Sequence, residues 1–71
     1  MTYAYSKLIG RIAELGLSKE EFAIKIGISR TALYHKLQSN SEFTQDEILR
    51  IIDVLSIPKE EVPDYFFTLK V

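Results

Sequence analysis

Residues 22–37, FAIKIGISRTALYHKL, set a glycine between two segments that each read as helix. Glycine costs about 1 kcal/mol relative to alanine in a helix interior, so a helix is expected to end at Gly27 rather than run through it. Gly27 can take positive φ at little steric cost, which suits a tight turn. Ala23, one turn earlier, is small enough to let a following helix cross closely. Ile28 can plug the corner, and Ser29 is a good cap for the restart. A short helix, a brief turn containing Gly and a second helix at a steep angle make a helix-turn-helix.

Outward from this stretch, helix starts are marked by a repeated pattern. Ser18-Lys19-Glu20-Glu21 and Thr44-Gln45-Asp46-Glu47 both read as capping boxes, with Leu17/Phe22 and Phe43/Ile48 as hydrophobic staples. Leu8, Ile12 and Leu15 form one apolar stripe, predicting a first helix from about Ser6 to Leu15 that stops at Gly16. The second helix is expected over Lys19 to Ile26 and the third over Arg30 to Gln38. A polar loop follows at Ser39-Asn40-Ser41. The fourth helix, Gln45 to Leu55, should bury Ile48, Ile51, Ile52 and Leu55. Pro58 to Val62 suggests a short fifth helix that Pro63 stops or kinks. The tail, residues 64–71, is aromatic and β-branched and reads as extended. Its alternation puts Tyr65, Phe67, Leu69 and Val71 on one side and Phe66, Thr68 and Lys70 on the other. Such a strand must lie over its own bundle or pair with another chain, so Tyr65, Phe66, Phe67 and Leu69 are candidate dimer or partner contacts. The expected fold is one all-α domain over 1–71: four to five short helices, a central helix-turn-helix at 18–38 and a short extended C-terminal tail.

Composition narrows the function. The 71 residues are 46% hydrophobic, which helps a chain so short that only about 60% of its unfolded surface is buried on folding. There is no Cys, hence no disulfide framework and no thiolate metal site. No run approaches a membrane span and no signal-peptide pattern opens the chain. A cytoplasmic protein is expected, with no membrane, no small-molecule substrate and no cofactor. His35 is the lone histidine and has neither a metal-ligand set nor a nucleophile constellation, so catalysis and a metal site are not expected. Net charge is −1, but it is unevenly spread. Residues 1–40 carry six basic and three acidic side chains, whereas residues 41–71 carry three basic and seven acidic. That split allows a basic face for phosphate with an acidic back, or an ordinary charged surface.

The stretch Ser18 to Gln38 resembles the helix-turn-helix of lambda-repressor-like DNA-binding domains, the Cro, phage-repressor and XRE type. Phe22, Ala23, Ile26, Gly27, Ile28, Ser29 and Leu33 carry the likeness, and the flanking helices extend it over about residues 6–62. ISRTALYHKL followed by FTQDEILRIIDVL is similar to small phage repressors of Gram-positive hosts. Two departures stand out. Lys19 occupies a place where the family often has Gln, and Leu37 follows Leu33 by four residues, leaving Lys36 in the expected apolar place.

The resemblance implies a recognition helix lying in the major groove of a double-stranded DNA operator, with a homodimer spanning two half-sites. Leu33 and Leu37 define the buried side of that helix. Arg30, Thr31, Tyr34, His35 and Gln38 are then the base-facing candidates: Arg suits guanine, Gln adenine, and a Thr methyl the thymine methyl. Ser18, Lys19, Ser29, Lys36, Ser39 and Asn40 are the phosphate-positioning candidates, and Lys7 and Arg11 would add positive charge on the first helix. The expected function is a phage-type transcriptional regulator. The alternative is an antirepressor that binds and inactivates a partner repressor, its acidic half docking on that protein's basic DNA-binding face. A small domain that only oligomerises through its tail is a third option.

Overall fold

A computed structural model describes residues 2–70 of the chain. Among these residues five helices follow one another: α1 (Ser6–Glu14), α2 (Lys19–Ile26), α3 (Arg30–Leu37), α4 (Gln45–Leu55) and α5 (Val62–Phe66), the last entered through a 3-10 turn at Lys59–Glu61. Phe22 and Ile26 from α2, Leu33 from α3, Ile51 and Leu55 from α4 and Leu8 from α1 are fully buried and form the centre of one core. α2 packs on both α3 and α4, and α1 packs on α5. Phe43 fills the gap beside Tyr5 and Phe66, its ring edge-on to both at 5.4 and 5.9 Å between centroids.

The marked starts form as the pattern demands. Ser18 and Thr44 each accept the backbone N–H three residues on, while Glu21 and Glu47 accept the cap residue's own N–H. The ends share one device. α1 and α2 stop in left-handed Gly16 and Gly27, and the following Leu17 and Ile28 donate back to Ile12 and Ala23 carbonyls. This double-bonded stop satisfies the last carbonyls. α3 and α4 end the same way, but with Ser39 (φ 62°) and Ser56 (φ 51°) in the left-handed position.

Four expectations change. Leu15 falls beyond the last turn of α1 and is exposed rather than completing the stripe. Ile48 and Ile52 are only half-buried on α4. Pro63 starts a helix instead of stopping one: it lies in the first turn of α5, where its fixed φ fits and its missing N–H has no partner to lose. The tail therefore becomes extended only after α5, not from Asp64. Neighbouring Tyr65 and Phe66 are both buried, as helical spacing at a bundle edge allows, and Phe67 and Leu69 are exposed. The extended remainder lies against the chain's own N-terminal segment. Leu69 faces Tyr3 in an isolated antiparallel bridge, flanked by Ala4 N–H to Thr68 O (2.8 Å) and Lys70 N–H to Thr2 O (2.9 Å). Val71, part of the expected alternation, lies outside the described residues.

Candidate interaction surface

α3 presents one polar and aromatic strip. Leu33 and Leu37 point into the core, and Arg30, Thr31, Tyr34, His35 and Gln38 are all exposed within less than half a turn of helix surface. Tyr34 is 58% exposed and its ring meets His35 edge-on at 5.8 Å. The five base-facing candidates are thus brought together.

The phosphate-positioning set is not. Lys36 turns inward, occupying the apolar-type place its spacing suggested. Its ammonium donates to Glu47 Oε1 at 2.9 Å and to the Glu42 carbonyl at 3.0 Å, with both charged side chains only 12% exposed. The reason is local: α3 and the N-terminus of α4 meet there, and Glu47 is already drawn in by the Thr44 cap. Ser39 is also committed, its hydroxyl accepting from Tyr3 N–H and donating to Tyr3 O, both at 3.1 Å. The Ser18 amide faces Glu21 rather than solvent anions. Ser29 remains exposed while capping Ala32, and Lys19 and Asn40 stay at the surface.

The added charge expected from α1 is likewise engaged. Lys7 lies 3.4 Å from Glu61 and 3.7 Å from Asp64, and sits over the Tyr65 ring. Arg11 pairs with Glu14 and donates to the Leu55 carbonyl at the end of α4. Of the six basic side chains in residues 1–40, Lys19, Lys25 and Arg30 are the ones outside any ion pair among the described residues. No group of three metal-ligating side chains occurs among those residues, and none of their helices is long and apolar enough to cross a membrane.

Among the partner-contact candidates, Tyr65 and Phe66 are buried in the chain's own core, one of the two placements open to the tail, and Phe67 and Leu69 remain accessible. Phe67 belongs to a feature the sequence did not signal. On the flank of α4 away from α2, Gln45, Ile48, Leu49, Ile52, Val62 and Phe67 line a shallow apolar groove of about 340 Å³. Leu49 is 64% and Phe67 55% exposed. Arg50 marks the opposite flank, where its guanidinium donates to the Ile26 carbonyl at 3.1 Å.

No curated protein matches the chain. A solved structure does: the solution structure of the modulator of repression of the temperate bacteriophage TP901-1 from Lactococcus lactis is 38% identical and superposes with a TM-score of 0.79. The match covers 100% of this chain and 96% of that one. A family described as a protein of unknown function, DUF739, matches residues 1–69, and the chain belongs to that family.

Proposed function

We propose that the chain is a phage-type modulator of repression, which binds a partner repressor and changes that protein's hold on its operator through protein–protein contacts. The observation that carries this is the end-to-end likeness, at 38% identity, to a protein described as a modulator of repression. The charge distribution supports it. A DNA-binding module gains most of its affinity from Lys and Arg on phosphates. Here Lys7, Arg11 and Lys36 are held by the fold's own carboxylates and carbonyls. Net charge is −1, and a negatively charged protein is suited to a basic partner surface such as one that otherwise meets DNA. The molecule works in this reading as a binder in the cytoplasm, without catalysis or cofactor.

One observation favours a second reading, direct operator binding by a dimer of the lambda-repressor-like type. Arg30, Thr31, Tyr34, His35 and Gln38 do share an exposed strip on α3. Binding of the full chain to mixed duplex DNA and to a candidate phage-type repressor from the same genome separates the two. At about 50 mM salt, where phosphate contacts are strong, retention by the repressor and not by DNA is expected. Retention by DNA with a steep salt slope, and Arg30→Ala costing about 1–3 kcal/mol at one base position, would instead establish the second reading.

A further inference from the structure

We propose that the groove along α4 and Phe67 receives an amphipathic helix of a protein partner, one whose apolar stripe is flanked by Lys or Arg. This names the docking surface and ligand chemistry of the modulator function proposed above, and rests on it.

The groove's chemistry selects its occupant. Its lining is apolar apart from Gln45, and its two most exposed apolar members, Leu49 and Phe67, come from different elements. Single exposed apolar residues are ordinary on a surface; a contiguous patch of them marks an interaction site. Amphipathic helices bind such grooves by residues at i, i+3, i+4 and i+7. Charge then decides between kinds of helix. Asp46 and Asp53, three residues before and four after Leu49, stand beside it on the exposed side of α4. Glu42 borders the other end, lining a hollow shared with Ile48 and Phe67. These three carboxylates make no ion pair among the described residues, and no basic side chain lines the groove. A second copy of this chain, docked isologously, would bring the same carboxylates face to face, which opposes self-pairing. A partner helix edged with cations answers all three charges at once.

The test uses the full chain, labelled with ¹⁵N, and two kinds of partner: a candidate phage-type repressor from the same genome and a synthetic amphipathic helical peptide in a Lys/Arg-flanked and a Glu-flanked version. Leu49→Glu and Phe67→Ser should each weaken repressor binding at least tenfold, with far smaller loss for Tyr34→Ala on α3. Both altered side chains are exposed, and an unchanged melt for either variant excludes misfolding as the cause. Asp46→Lys with Asp53→Lys should weaken binding and reduce its salt dependence. Repressor binding that survives Leu49→Glu and Phe67→Ser overturns the groove assignment while leaving the modulator function intact. If wild-type chain does not bind the repressor, the modulator function fails and the peptides decide the groove. Amide shifts at Leu49, Ile52 and Phe67 with the basic peptide alone support it. No shifts, equal shifts with both peptides, shifts confined to α3, or concentration-dependent self-association through these residues overturn it.

Discussion

The two capping boxes share a motif but differ in what surrounds them. At α2, Ser18 and Glu21 exchange hydrogen bonds of 3.0 Å in each direction; at α4, Thr44 and Glu47 do the same at 3.1 and 2.9 Å. The first box is exposed to solvent, so each bond replaces one to water. In the second, Thr44 is exposed but Glu47 is buried, and Glu47 Oε1 accepts from Lys36 of α3 as well as from Thr44 N–H. One carboxylate thereby caps α4 and anchors α3, and through the Glu42 carbonyl the same ammonium fixes the loop between them. The difference shows why a local pattern alone does not rank its own importance. A charge whose desolvation is matched by one partner becomes costly only when that partner is taken away.

Removing that partner is the strongest way to probe the contrast. Lys36→Met leaves the Glu47 carboxylate covered and without its cation, and should cost about 3 kcal/mol, a fall in Tm of roughly 12–24 °C for a domain this small. Lys7→Ala, at the exposed pair with Glu61 and Asp64, should cost about 0–1 kcal/mol. Similar losses for both in urea melts would mean that burial does not distinguish the pairs. A double-mutant cycle with Glu47→Gln isolates the coupling.

α2 depends instead on its other end. Gly27 sits at φ +79°, and a Cβ there would meet Arg50 Nη1 at 3.5 Å, ordinary contact. Strain, not crowding, is then the reason that Gly27→Val should cost about 1–3 kcal/mol. The caps themselves should rank below this. Thr44→Ala should cost about 1–2 kcal/mol and Ser18→Ala nearer about 0.5–1 kcal/mol, within the usual range for lost N-caps. The inequality matters more than either value. A larger loss at Ser18 would make the covered box no more important than the open one.

Much of the architecture was legible because the chain signals its own boundaries. Ser18, Ser29 and Thr44 announced starts, and Gly16 and Gly27 announced stops. The left-handed ends at Ser39 and Ser56 were silent, since serine rarely adopts that conformation and gives no cue. Pro63 misled for the converse reason: proline breaks a helix interior but fits a first turn, and only the following packing of Tyr65 and Phe66 tells which applies. The α3 strip followed from a 3.6-residue period around Leu33 and Leu37. Lys36 did not, although its spacing placed it inward, because its partner Glu47 lies eleven residues away on another helix. The groove was invisible for a related reason. Ile48, Leu49 and Ile52 look alike in sequence, and their exposure depends on what does not cover the far flank of α4.

The smallest expected effect tests the comparison through protons. Both capping carboxyls are held below the ordinary glutamate value of 4.5. For Glu21 the cause is the Ser18 backbone N–H, then the Ser18 side chain. For Glu47 burial pushes the value up, but the Lys36 ammonium and the Thr44 amide outweigh it. A carboxyl with a lower pKa in the folded than in the unfolded chain binds fewer protons when folded. Its contribution is present above about 4.5 and is lost as pH falls through the folded value. Stability should therefore decline on acidification below that point, with both groups contributing. The two should part when Lys36 is removed, because its ammonium is among the causes at Glu47 and not at Glu21. Comparing the slope of unfolding free energy against pH removes the constant penalty each substitution brings. Glu47→Gln should flatten the acid limb less in a Lys36→Met background than in the wild type, while Glu21→Gln should flatten it equally in both. A Glu47→Gln effect that ignores Lys36 would make the second box as self-contained as the first, and the contrast between the two would collapse.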